Sequence, residues 1–273
     1  MMKTSNFFRT TLAGVTCGLS VLAISASANA ATLVDLELSL LVDVSGSVDN
    51  NEFILQRDGY VNAFSNSDLF NNFISQGARG SIAVNLIYWS GAGQQAESVG
   101  WTLIDSVAAS QNFANAIAAV ARPSNGNTAP GSAINFAVPR FASNDFDGTR
   151  QVIDVSGDGV ANAGANTAAA RDAALAAGVD AINGIVIGGG TSVRNFYENN
   201  VIGGTNASGT PAFVLEAATF QDFGNTIDQK LRAEIVQPPT DIPEPASLIG
   251  LLGLGAFGIT SKLKRQQKQQ VNG

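Results

Sequence analysis

Leu36-Glu37-Leu38-Ser39-Leu40-Leu41-Val42-Asp43-Val44-Ser45-Gly46-Ser47-Val48 is the stretch on which the reading of this chain turns. It opens with the period-2 alternation of a strand and becomes almost wholly apolar at Leu40-Leu41-Val42, as a buried parallel strand does. Three oxygen-bearing side chains then arrive at a spacing of two: Asp43, Ser45 and Ser47. Gly46 between the hydroxyls is expected to let the backbone turn sharply. Asp49 and Glu52 follow as a capping-box pair that starts a helix. A strand ending in a carboxylate and two hydroxyls, just ahead of a helix N-terminus, suits a hard cation that takes oxygen ligands.

Working outward, the same alternation of strand and helix repeats. The first helix is expected to turn Ile54, Val61 and Phe64 to one side. Ser81–Trp89 reads as the second strand. Ser98–Ile104 lies close enough to pair antiparallel with it across the Gly91-Ala92-Gly93 turn. Phe113, Ile117 and Val120 mark a helix by their i, i+4, i+7 spacing. Asn125-Gly126-Asn127 is a loop that delivers Thr128, and a helix through Ile134 and Val138 follows.

Arg150–Val155 is the next strand, running into Ser156-Gly157-Asp158-Gly159. An Ala-rich helix from Asn166 stops at Gly178, a suitable residue to end it. Ile182–Ile187 and Phe213–Leu215 are further strands, and Phe223, Ile227 and Leu231 line a last helix. This order predicts an α/β fold: a doubly wound, Rossmann-like, mostly parallel central sheet with helices on both faces and one antiparallel edge strand. Ligands of such sheets sit beyond the carboxyl ends of the strands. Asp43, Thr128 and Asp158 all fall there.

At these residues the chain resembles the von Willebrand factor A (VWA) domain, whose metal-ion-dependent adhesion site, or MIDAS, begins with Asp-x-Ser-x-Ser. Here that is Asp43-Val44-Ser45-Gly46-Ser47. The resemblance also implies a threonine from the loop before a middle helix, matched by Thr128, and an aspartate at the end of the fourth core strand, matched by Asp158. It thus implies a metal site of Asp43, Ser45, Ser47, Thr128 and Asp158. A more specific likeness is to a bacterial branch of secreted VWA-like proteins of unknown function, carried by Trp89-Ser90-Gly91, Asp154-Val155-Ser156-Gly157-Asp158-Gly159, Ala181-Ile182-Asn183-Gly184 and the stretch from Lys230-Leu231 to Glu234-Ile235. Two departures stand out: Ser156-Gly157 where Leu-Thr is commoner, and Asn125-Gly126-Asn127 where Gly-Gly often precedes the threonine. Two carboxylates with hydroxyls and water fit Mg²⁺ or Mn²⁺, with Ca²⁺ as a further occupant, and leave one position for an outside ligand.

Composition narrows the chemistry. The chain has 273 residues, no His and one Cys, Cys17. Ser-His-Asp triads, Cys-His dyads and His-ligated zinc or iron sites are therefore excluded. Between Ala31 and Asp241 lie 21 acidic and 9 basic residues, a net charge of −12. Such a surface repels phosphate backbones, so nucleic acid is not an expected partner. Lys230 is the only lysine of that span, which leaves little room for Ser-Lys or Schiff-base chemistry. Gly188-Gly189-Gly190-Thr191-Ser192 lacks the lysine of a phosphate-binding loop and reads as a strand-end turn. Asp145, Asp147, Asp222 and Asp228 read as surface carboxylates, Trp89 and Trp101 as packing residues. Asn206-Ala207-Ser208 fits a glycosylation pattern that recurs by chance.

Both ends carry addressing features. Residues 1–30 read as a secretory signal, with Lys3 and Arg9, an apolar Leu12–Ile24 and the small-x-small Ala28-Asn29-Ala30. The VWA-like domain is assigned to 34–236 and a proline-marked linker to 237–241. Residues 242–268 hold Ile242-Pro243-Glu244-Pro245, an apolar run from Ala246 to Ile259 and basic residues from Lys262 to Lys268. This order resembles the PEP-CTERM sorting signal of Gram-negative bacteria, which implies an exosortase, transient membrane contact through the apolar segment, and delivery to the envelope, outer surface or extracellular matrix. The expected function is an exported VWA module that binds a protein or matrix partner through a divalent cation, the partner donating a carboxylate, with no catalytic residues. The alternatives are a carboxylate hydrolase of exopolysaccharide and a passive matrix protein with a structural metal.

Overall fold

The computed structural model describes residues 30–235. The signal segment before Ala30, the linker and the sorting segment lie outside the described residues. In chain order the elements are β1 (Thr32–Val34), β2 (Leu36–Asp43), α1 (Asn50–Ser65), α2 (Ser67–Asn72), β3 (Ile82–Trp89), β4 (Gln95–Ile104), α3 (Val107–Ala118) and α4 (Pro130–Phe141). Then follow β5 (Phe146–Gly148), β6 (Gln151–Gly157), α5 (Thr167–Ala176), β7 (Ala181–Ile187), α6 (Gly190–Phe196), β8 (Gly203–Gly204), β9 (Val214–Ala217) and α7 (Phe223–Ile235).

The central sheet runs in the order β4-β3-β2-β6-β7, with β8 and β9 both paired to β7. Strands β3, β2, β6, β7 and β9 are mutually parallel, and β4 is the antiparallel edge strand expected from sequence. The two-residue β8 adds a second, very short antiparallel pairing. Outside this sheet, β1 pairs parallel with β5, a contact that periodicity did not signal.

The sheet is covered on both faces, which explains why its strands are apolar almost throughout. Leu36, Leu38, Leu40 and Val42 of β2 join a core with Phe53, Tyr60 and Phe64 of α1, Phe113 and Ile117 of α3, and Phe223, Ile227 and Leu231 of α7. Leu41, Ile87, Ile153, Val155, Ile182 and Val186 face the opposite way, against Ile134 and Phe141 of α4 and Ala170 and Ala174 of α5. Even the polar positions of the opening strand are buried. Glu37 accepts from the Gly148 amide at 2.8 Å and from Asn144 at 2.6 Å, tying β2 to the β5 strand.

Helix ends follow local chemistry. Asp49 and Glu52 form the reciprocal capping box of α1, Asn166 caps α5, and Gly178 takes the left-handed φ of +108° that ends it. One expectation fails on α1. Ile54 is exposed at 41%, and the buried stripe is instead Phe53, Gln56, Tyr60, Ala63 and Phe64. Phe53 lies one residue earlier and packs its ring 5.3 Å from Tyr88, which rotates the inward face. The described residues contain no helix long and apolar enough to cross a membrane.

Candidate metal centre

Three loops meet at the carboxyl end of the sheet. Strand β2 ends at Asp43, and its ladder closes where the Val44 amide donates to the Trp89 carbonyl at 2.8 Å. The chain then folds back on itself, with the Ser45 amide donating to Asp43 Oδ1 at 2.7 Å. Gly46 serves close approach here, not the turn. Its φ is not left-handed. A Cβ on it would meet the Asn125 carbonyl at 3.3 Å, and its amide donates to the Gly126 carbonyl at 2.8 Å.

The sequence-matched oxygens converge. Ser45 Oγ lies 3.2 Å from Ser47 Oγ, and Thr128 Oγ1 donates to Ser45 Oγ at 3.3 Å. Ser47 Oγ donates to Asp158 Oδ1 at 2.7 Å. All five residues thus belong to one chain of contacts. Asp43 and Ser45 are fully buried and Thr128 is 6% exposed, whereas Ser47 is exposed and Asp158 half-buried. The cluster therefore opens to solvent on the Ser47–Asp158 side. A groove of about 420 Å³ begins there, lined by Glu52, Asp158, Gly188, Gly189, Ala218 and Thr219. Gly188 and Gly189 supply a wall of this groove.

The electrostatics favour a cation. Burial pushes the Asp43 carboxyl up to about 7, against the hydrogen bonds from Ser45, and the Asp158 charge pushes in the same direction. Asp158 is itself raised, by burial above all, while its bond from Ser47 opposes the rise. Asp43 Oδ2 is buried without a hydrogen-bond partner among the described residues. Buried polar atoms of this kind carry a penalty that a ligand removes. Among the described residues no three His, Cys, Asp or Glu side chains cluster. A cation here must therefore take hydroxyl oxygens, which suits a hard dication.

Several supporting residues escaped the sequence reading. Arg122, from the loop feeding Thr128, donates to the carbonyls of Val44 and Ser45, each at 2.8 Å, and to Ser124 O at 3.0 Å. It straps two of the three loops together. Its signal was there: it is the only basic residue between Arg79 and Arg140. Asn162 accepts from the Thr128 amide at 2.8 Å and returns its own amide to the Thr128 carbonyl at 3.0 Å.

Elsewhere, Lys230 is fully buried between Asp154, at 2.8 Å, and Glu234. Burial raises both carboxyls, the Lys230 charge opposes this, and Glu234 reaches about 7. Lys230 belongs to the same stripe as Phe223 and Ile227, three residues past the latter, so its burial was legible in the spacing.

The remaining expectations also find their places. Asp145, Asp147 and Asp222 are exposed, and Asp228 pairs with Arg232 at 2.7 Å. Trp89 is buried and Trp101 packs 5.2 Å from Phe141. Asn206 is buried and exchanges amide hydrogen bonds with Asn183, at 2.9 and 3.0 Å, so its nitrogen is not presented for glycosylation.

Comparison with known proteins identifies the family and the fold. Residues 33–239 match the family described as "Protein of unknown function (DUF1194)". Residues 241–265 match the PEP-CTERM protein-sorting motif, a signal that indicates export to the cell envelope or surface through exosortase-type sorting. No curated protein sequence matches. Among solved structures, the chain is similar to proximal thread matrix protein 1 from the mussel byssus with a zinc-occupied MIDAS motif. The TM-score is 0.53 at 17% identity, covering 75% of this chain and 46% of that one. It is also similar to a von Willebrand factor type A protein from Catenulispora acidiphila, with a TM-score of 0.50 at 13% identity, covering 74% and 43%. The chain thus spans a little under half the length of these two structures. At these identities the likeness establishes the fold, which is that of a VWA domain.

Proposed function

The chain belongs to the DUF1194 family, and we propose that within it this exported VWA module binds a protein or matrix partner through a divalent cation held by Asp43, Ser45, Ser47, Thr128 and Asp158. One observation carries the reading. Oxygens from three loops far apart in sequence are already in mutual contact, through the Ser47–Asp158, Ser45–Ser47 and Thr128–Ser45 pairs. When bound, a hard dication supplies an open position for an incoming oxygen ligand. Mg²⁺ matches the donor set, since two carboxylates and three hydroxyls offer few charges.

The residues do the rest of the work. Asp43, buried at the floor, sets the local negative charge, and Ser45 fixes it by donating a backbone amide. Arg122 and Asn162 hold the loops in register. Ser47 and Asp158 form the open rim, where a partner's carboxylate approaches. With the acidic charge around it, an anionic partner is drawn in only at the cation. We read the module as non-enzymatic, because the candidate acid–base carboxylates are solvated or ion-paired.

The test is capture of the partner from the native envelope, with and without EDTA. Binding lost in EDTA and restored by Mg²⁺ supports the reading, and binding indifferent to EDTA counts against it. A second reading draws support from one neighbour, a thread matrix protein with zinc in its MIDAS. In that reading the cation only stiffens the loops of a matrix component. EDTA would then lower the melting temperature without changing adhesion.

A further inference from the structure

The Asp43 oxygen that lacks a partner does not face an apolar wall. Tyr197 is fully buried, and its hydroxyl likewise has no hydrogen-bond partner among the described residues. Both oxygens converge on Gly157, the residue before Asp158. A Cβ built on Gly157 would lie 2.6 Å from Tyr197 Oη and 2.8 Å from Asp43 Oδ2. No side chain fits at position 157 while both stay where they are. The ring is seated by a second glycine: a Cβ on Gly184 of β7 would meet Tyr197 Cδ1 at 2.8 Å. Two glycines on adjacent strands therefore clear one slot for one tyrosine.

The backbone that delivers the ring is itself unusual. Helix α6 passes at Tyr197 into a π-turn, Tyr197–Val201. Such turns insert an extra residue and recur at functional sites. Phe196 packs edge-on against the ring at 6.1 Å, limiting its swing. Burial, and then the Asp43 charge, hold the phenol well above its ordinary pKa, so it stays a hydrogen-bond donor.

Resting on the metal-site reading above, we infer that Tyr197 is a positioning residue for the cation, its hydroxyl holding the otherwise unbonded oxygen of Asp43 directly or through one water. Each is a buried polar group left without a partner, which carries a desolvation penalty. Both stand under 3 Å from one point built on Gly157 yet share no direct hydrogen bond, a spacing that one bridging water or a small closing movement satisfies. Groups that orient metal ligands in this way alter affinity about 10–100-fold when removed.

The experiment compares the purified wild-type chain, Tyr197→Phe and Asp43→Ala by Mg²⁺ calorimetry, with melting in EDTA alongside. Tyr197→Phe keeps the ring and removes one oxygen. The expected result is a Mg²⁺ Kd raised about 10–100-fold, with the EDTA melting temperature nearly unchanged. Unchanged affinity in Tyr197→Phe, with Asp43→Ala abolishing binding, overturns the role of Tyr197 and leaves the metal site standing. A wild-type chain that binds no Mg²⁺ overturns both.

A second measurement reads the tyrosine itself. The chain has three tyrosines, and Mg²⁺ is expected to perturb the tyrosine absorbance of the wild type. Absence of that signal, or its survival in Tyr197→Phe, contradicts the inference.

Discussion

The hydroxyl of Ser47 donates to the Asp158 carboxylate at 2.7 Å across 111 residues of sequence, and so joins the turn after the first core strand to the loop after β6. Each partner follows a parallel strand, and β2 and β6 are direct neighbours in the sheet. Their carboxyl ends are therefore brought together by topology before any side chain makes contact. The site inherits its position from strand order.

Removing Thr128 Oγ1 takes away one hydroxyl and leaves the loop backbone held by Asn162. Thr128→Ala should weaken Mg²⁺ binding at least about tenfold. Its melting temperature in EDTA should stay close to that of wild type. Calorimetry beside a melting curve checks both halves.

Arg122 holds two carbonyls of the metal turn, of which Ser45 O is shared with the Val48 amide at 3.1 Å. Arg122→Ala should destabilise the domain by about 1–3 kcal/mol, chiefly the cost of leaving the Val44 carbonyl without its donor. At about 2–4 °C per kcal/mol for a domain of this size, the loss is visible by calorimetry. Mg²⁺ affinity should fall as well, because the Ser45 turn loosens. A variant as stable as wild type would show that the strap is idle.

Asp43 is raised to about 7 by burial and Glu234 to about 7 by burial, from 3.8 and 4.5. The folded, metal-free chain thus keeps protons that the unfolded chain has released. Stability is greatest below about pH 4 for these groups, and it is lost as pH rises towards 7. In EDTA the melting temperature should be higher near pH 5 than near pH 8. Asp43→Asn should flatten part of that slope, and added Mg²⁺ should stabilise most at the alkaline end, where Asp43 is ionised. A melting temperature that climbs with pH in EDTA would contradict this assignment.

Lys230 is a buried cation facing two buried carboxyls. Lys230→Met should cost about 3–5 kcal/mol, because the carboxylates lose their counter-charge. Adding Asp154→Asn and Glu234→Gln should recover most of it. Urea unfolding of the single and triple variants measures the difference.

Much of this arrangement was legible in the residues. The Leu40-Leu41-Val42 run announced a strand buried on both faces, and Asp43, Ser45 and Ser47 announced the oxygens. What the one-dimensional pattern could not carry was rotation and contact across the fold. Glu37 and Ser39 give the strand its period-2 alternation, and the pattern alone did not say that both are buried. Phe53 displaced Ile54 from the inner face because an aromatic partner, Tyr88, waits on β3. The Ser156-Gly157 departure carried no meaning in one dimension, whereas in the fold a Cβ at Gly157 would collide with both Tyr197 Oη and Asp43 Oδ2. Only the folded chain brings residue 197 to residue 43.

The most direct test of the central claim is a crystal structure of the domain grown in Mn²⁺, with an anomalous difference map. The account predicts one peak enclosed by Asp43, Ser45, Ser47, Thr128 and Asp158, with direct ligands at about 2.0–2.5 Å and the remainder one water away. A map with no peak among these five residues, or with its peak at other carboxylates, would contradict it.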